Sequence, residues 1–109
     1  MAKTARLLNN PYPAEYADNI IERVCSDAGI DVNDISSHVR TRELADSRKI
    51  IAYLCDKYVA IPLRLVAKKL NQGNHTTVTT QKKKCIDLMK FDKSFKIRVE
   101  KIEAAYRLN

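Results

Sequence analysis

Four stretches of this chain place apolar residues three and four positions apart, and that spacing restricts the fold more than any other feature. Ala17, Ile20, Ile21, Val24, Cys25 and Ala28 form the first stripe, and Ile51, Leu54, Cys55 and Tyr58 the second. Leu63, Val66, Ala67 and Leu70 form the third, and Phe95, Val99, Ile102 and Tyr106 the fourth. Residues at these offsets share one face of an α-helix, whereas on a strand they would scatter to both faces. Only two Gly and three Pro occur in 109 residues, too few for a turn-rich β sandwich or barrel. The pattern predicts an all-α fold of about six helices in one domain.

The punctuation between the stripes sets the expected organisation. Residues 1–13 read as a flexible arm ending in Pro11-Tyr12-Pro13, and residues 14–109 as a single helical domain. The first helix is expected over Ala14–Ala28, with Gly29 at its C-cap. A short helix over Asn33–Ser37, anchored by Val32 and Ile35, precedes a basic loop at His38–Arg42. The third helix is expected over Asp46–Tyr58, with Asp46 or Ser47 as N-cap. Pro62 opens a fourth, where its missing N–H costs nothing. Asn71-Gln72-Gly73-Asn74 is a turn, and a fifth helix runs over His75–Met89. Phe91-Asp92 breaks the chain before the last helix. Thr76, Thr77, Val78, Thr79 and Thr80 are β-branched and by propensity favour a strand. No second convincing strand is available to pair with them, so they are read as helical, with their hydroxyls and methyls facing a ligand.

Charge narrows the partners. The net charge is +7, and it is unevenly spread. Residues 1–30 hold three basic and four acidic side chains, and residues 31–109 seventeen and nine. A basic surface of this kind suits a polyanion. No apolar run approaches the roughly 18–20 residues of a membrane span, and no apolar segment near the N-terminus resembles a secretory signal. Cys25, Cys55 and Cys85 fall on the apolar stripes and read as small buried residues of a reducing cytoplasm. With His75 they lack the close-spaced ligand pairs of a zinc site, so no metal and no cofactor are expected. Glu22, Glu100 and Glu103 have no convergent Ser or His in the pattern. No catalytic residues are assigned and no enzymatic activity is expected.

Pro62–Leu70, the turn and His75–Met89 together give helix, four-residue turn, helix over residues 62–89. In a helix-turn-helix of this layout the second helix enters the major groove of duplex DNA and its N-terminal residues meet base edges. Asn74, His75 and the threonines supply hydrogen-bonding groups and methyls at that end. Lys82, Lys83 and Lys84 follow two turns later and read as a general electrostatic face.

The run Leu70-Asn71-Gln72-Gly73-Asn74-His75-Thr76-Thr77-Val78 resembles the signature of the C-terminal DNA-binding domain of the bacterial replication initiator DnaA family, Gly-Gly-Arg-Asp-His-Thr-Thr-Val. Ser47–Leu54 and Pro62–Ala67 are similar to the preceding helices of that family, and His38–Arg42 falls on its basic loop. The resemblance is close over Asp46–Lys84 and looser from Ile20 to the end. It implies a helix-turn-helix domain of the Trp-repressor-like type that binds double-stranded DNA in replication or transcriptional control. Carried over by position, Asn74, His75 and Thr76 meet bases, Thr77 supports them, and Arg40 enters the minor groove. Arg42, Arg48, Lys49, Leu63, Arg64 and Lys82 are expected at phosphates, Leu63 through its backbone N–H.

Departures from the family pattern bear on sequence preference. Gly73 replaces an Arg of the turn, Asn74 an Asp, and Arg64 a frequent Pro. Asp56 stands where a basic phosphate contact is expected, with Lys57 adjacent. Gly29 and Gly73 are the only glycines, so the chain carries no Gly-rich nucleotide loop, and neither nucleotide binding nor ATPase activity is expected. The resemblance implies a bacterial or phage-encoded, nucleoid-associated cytoplasmic protein, expected as a monomer. The alternative is a protein-interaction module of the same fold that docks on a replication or regulatory protein.

Overall fold

The structure, a computed structural model, describes residues 13–37, 39, 41–58, 63–71 and 75–107, with side chains described between Tyr16 and Ala104. Every regular element among the described residues is helical: α1 (Pro13–Ala28), α2 (Val32–Ile35), α3 (Arg42–Tyr58), α4 (Leu63–Leu70), α5 (His75–Phe91) and α6 (Lys93–Arg107). The all-α expectation holds, and the β-branched run Thr76–Thr80 is helical. Residues 1–12 of the expected N-terminal arm and Pro62 lie outside the described residues, and Pro13, expected to end the arm, instead opens α1. None of these helices is long and apolar enough to cross a membrane.

α3 is the centre of the domain. Ile50, Ile51, Ala52, Leu54 and Cys55 are fully buried, because α1 covers one side of the helix and α5 another. The predicted stripes supply the facing surfaces: Ile20, Ile21 and Val24 from α1, Val66 and Leu70 from α4, Val78 and Cys85 from α5, Phe95, Val99 and Ile102 from α6. Each fully buried Ile, Leu or Val contributes about 1.5–3 kcal/mol by leaving water. Gly29 ends α1 at φ 70°. Its N–H reaches the Ser26 carbonyl and that of Ile30 reaches Cys25, the crossed pair of a left-handed helix stop.

Three boundaries differ from expectation. α3 begins at Arg42, four residues before Asp46, because Thr41 Oγ1 accepts the Leu44 N–H at 3.1 Å. Asp46 and Ser47 are therefore not caps. Asp46 pairs along the helix with Lys49, and the buried Ser47 hydroxyl accepts from Arg98 Nη2 at 3.1 Å. Second, α2 starts at Val32 and is capped by Asp31, whose Oδ1 accepts from Asn33 N at 2.8 Å. Ile35 is its buried anchor, while Val32 is exposed. Third, α5 continues through Phe91, and Asp92 alone separates it from α6 by capping the Phe95 N–H.

Two polar ties hold α6 against the rest. Arg98 reaches Glu43 of α3 at 2.8 Å and Asp27 of α1 at 3.6 Å. Glu103 is buried and accepts hydrogen bonds from Lys57 Nζ and the Tyr58 hydroxyl. Lys57 thus points away from the helix-turn-helix and does not replace the cation missing at Asp56.

Candidate nucleic-acid interface

α4 and α5 are the two helices of the predicted helix-turn-helix, and Gln72, Gly73 and Asn74 of the expected turn lie outside the described residues. Val66, Ala67 and Leu70 bury one face of α4, and Asn71 ends the helix at φ 55°. Asn is the side chain that best tolerates this left-handed conformation after Gly. Its Nδ2 donates to the Ser36 carbonyl at 3.2 Å, tying the turn to the end of α2. The turn is thereby fixed at one end against the segment that precedes the basic loop.

The threonines of α5 divide by helical phase. His75 and Thr76 are exposed in the first turn, and Thr80 lies one turn below Thr76, also exposed. Thr79 Oγ1 donates back to the His75 carbonyl at 3.0 Å, so its hydroxyl serves its own helix. Thr77 is half-buried and turns toward α3. Lys83 and Asp87 continue the outward face, and Asp87 puts a negative charge on it.

Between α5 and the first half of α3 lies a cleft of about 730 Å³. Arg42, Lys49 and Lys84 line it with positive charge, and Ser37, Thr41, Asn71, Thr77 and Gln81 with hydrogen-bonding groups. Arg42 is almost fully exposed, and its Nε lies 4.0 Å from Asp46. Lys49 lies 3.5 Å from the same carboxylate. The exposed Arg42 is held weakly by so long a pair, whereas the Lys49 and Asp46 side chains are only 19% and 21% exposed.

Arg48 serves a different purpose from the phosphate contact expected of it. It is 5% exposed, and all three guanidinium nitrogens donate to backbone carbonyls. Nε reaches Ile35 at 2.9 Å, Nη1 reaches Val39 at 3.3 Å, and Nη2 reaches Ser37 at 3.1 Å and Asp34 at 3.2 Å. A buried charge is tolerated only when its donors are satisfied. Here the planar fork satisfies them by gathering the chain between α2 and α3, which positions the segment carrying the basic loop.

The remaining expected residues are dispersed around this cleft. Arg64 is exposed in the first turn of α4, with Leu63 half-buried beside it. Lys82 lies on the other flank of α5, paired with Asp56 at 2.8 Å. Arg40 and Asn74 lie outside the described residues. The sequence reading counted Thr80 among the threonines facing a ligand and Lys84 in a general electrostatic face, and gave no role to Gln81, Thr41 and Ser37. For Gln81 a signal existed: it is four residues beyond Thr77 and three before Lys84, the spacing of a shared helix face.

Comparison with known proteins agrees with this geometry. Residues 17–85 match the family described as the bacterial DnaA protein helix-turn-helix. Among curated proteins, the chain is similar to the chromosomal replication initiator protein DnaA of Campylobacter jejuni strain 81-176. Identity is 26% over 86 residues, covering 79% of this chain and 20% of that protein. The protein of the same name from Sulfurimonas denitrificans is 29% identical over 85 residues, 78% of this chain and 20% of its own length. That from Bacteroides thetaiotaomicron is 28% identical over 98 residues, 90% of this chain and 21% of its own. The chain thus spans about a fifth of the length of these relatives. No solved structure matches it. The chain belongs to the bacterial DnaA helix-turn-helix family.

Proposed function

We propose that this helix-turn-helix domain binds duplex DNA sequence-specifically, in the control of replication or transcription. One observation carries the reading: the exposed hydrogen-bonding first turns of α5 stand beside a cleft lined by Arg42, Lys49 and Lys84. A helix fits the major groove, about 12 Å wide, and a phosphate strand beside that groove would then follow the cleft. His75, Thr76 and Thr80 meet base edges, and Thr77 supports them from the rim of the cleft. Arg40 follows the segment held by Arg48 and enters the adjacent minor groove, where a narrow A·T-rich stretch attracts guanidinium. Arg64 and the backbone N–H of Leu63 take a phosphate at the start of α4. Lys82 faces the strand on the opposite flank of α5. The domain acts as a binding module with no ATP hydrolysis of its own, as a monomer on DNA in the bacterial cytoplasm.

Asn74 sets the difference from the family. An Asp there accepts hydrogen bonds only, whereas the Asn amide offers both a donor and an acceptor and matches adenine N6 and N7. The test is selection of bound sites from random duplex DNA with the wild type and Asn74→Asp. The expected result is a shift in preference at one base pair, with the wild type favouring adenine. A lost base contact costs about 1–3 kcal/mol. With about five phosphates neutralised, the log–log salt slope should be roughly −4 to −5. Identical sites for both proteins would remove Asn74 from the reading residues, and a flat salt response would remove the phosphate contacts.

A further inference from the structure

A second groove lies on the other flank of α5. Ile86 and Met89 meet Tyr53 of α3 and form its floor, and Lys90, Lys93 and Lys96 surround it. Its volume is about 460 Å³. Thr77, Gln81 and Lys84 face the first cleft, and Ile86, Met89 and Lys90 face this groove. At 3.6 residues per turn the two sets lie about 180° apart around the helix. A duplex that seats on the cleft and reaches Lys82 stays toward the N-terminal half of α5, whereas this groove lies toward its C-terminal end, from Ile86 to Lys90.

The two grooves differ in chemistry. The first offers hydroxyl and amide groups along its length, as a phosphate strand requires. In the second the floor is carbon, and the Tyr53 hydroxyl is already engaged by Lys57 Nζ at 3.3 Å. Its lysines also differ from several others of the chain. Lys57, Lys69 and Lys82 each sit within 4.0 Å of a carboxylate. Lys90, Lys93 and Lys96 are exposed, and among the described residues none of them makes an ion pair. An apolar floor ringed by three cations is complementary to a bulky apolar side chain flanked by carboxylates.

We propose that this groove docks an acidic segment of another protein. One aromatic or aliphatic side chain of the segment packs on Tyr53, Ile86 and Met89, and neighbouring Asp or Glu side chains face Lys90, Lys93 and Lys96. The site is independent of the DNA reading and is compatible with simultaneous occupancy of the cleft.

The test is an NMR titration of the isotope-labelled chain with a short synthetic peptide of Asp and Glu around a central Phe. One control peptide carries Ala in place of Phe, and another Asn and Gln in place of the acids. The expected result is saturable shifts confined to Tyr53, Ile86, Met89 and the start of α6, with both controls weaker. Lys93→Glu with Lys96→Glu, two exposed changes that leave the core intact, should weaken the peptide at least about tenfold. Adding duplex DNA should leave the peptide bound. Equal binding of the Ala control, shifts spread over every lysine, or displacement of the peptide by DNA would overturn the proposal, the last by making the groove a nucleic-acid surface. Should the chain fail to bind duplex at all, the peptide titration still decides this site.

Discussion

The two ends of α3 each meet a buried charge and treat it in opposite ways. At the N-terminal end Arg48 donates to the backbone carbonyls of Ile35, Val39, Asp34 and Ser37. At the C-terminal end Glu103 arrives from α6 and is met by the Lys57 cation and the Tyr58 hydroxyl. The first arrangement orders the chain beside the cleft between α3 and α5. The second pairs its carboxylate with a cation and joins α3 to α6. The difference separates a buried ion that serves the proposed binding from one that serves the fold alone.

Breaking the N-terminal arrangement should have the largest effect. Arg48→Met keeps the length and apolar stem but removes every guanidinium bond. The expected cost is about 2–4 kcal/mol in urea unfolding, since several carbonyls lose a charged donor together. Affinity of the folded variant for all duplex sequences should fall at least about tenfold, because the segment before α3 is released. Arg48→Lys should not restore it, as one ammonium cannot reproduce the planar fork. Full DNA affinity in folded Arg48→Met would end the distinction between the two ends.

Glu103→Gln is the matching change at the other end, and it should lower stability by about 1–3 kcal/mol while leaving DNA affinity unchanged. Its pH signature is specific. Lys57 is held above its ordinary value chiefly by its bond to Glu103. The Tyr58 hydroxyl is pushed up to about 12 by burial first and by Glu103 second. Both groups hold their protons more tightly folded than unfolded. Their contribution is therefore complete below about pH 10 and is lost as pH rises toward 12. Denaturant titrations across that window should show a shallower fall for Glu103→Gln than for the wild type. Parallel curves would mean that the cluster does not govern the alkaline limb.

The smallest effect sharpens the edge of the interface. Asp87 is exposed on the outward face of α5, below Thr80. Asp87→Asn should raise duplex affinity about two- to threefold at low salt, with the gain shrinking as salt screens it. No change would place the phosphates nearer the N-terminal turns.

Much of this organisation is legible in the sequence, and the exceptions have physical causes. The stripes on α1, α3, α4 and α6 follow from spacing alone, and apart from Ala28 and the half-buried Leu63 their described residues are in the observed core, with the Tyr106 side chain outside the description. The start of α3 was hidden because Asp46 and Ser47 are as good a cap by composition as Thr41. Only the geometry of the Leu44 N–H distinguishes them. Arg48 has the same side chain whether it meets phosphate or carbonyl, and the choice depends on a loop brought back over it. Glu103 reads as a solvated helix residue until α6 is laid against Tyr58. Within Lys82–Lys84, helical phase separates the members, but which flank α3 covers is a property of packing and not of spacing.

The buried cysteines give the domain an internal clock. Cys55 and Cys85 are wholly enclosed between α3, α5 and their neighbours, and burial pushes both thiols up to about 12. Alkylating reagents attack the thiolate, so in the closed domain these sulfurs are doubly protected, by access and by protonation. Modification must then wait for a helix to lift. The rate at each sulfur measures how often the helices around it part, openings that a single unfolding curve would merge.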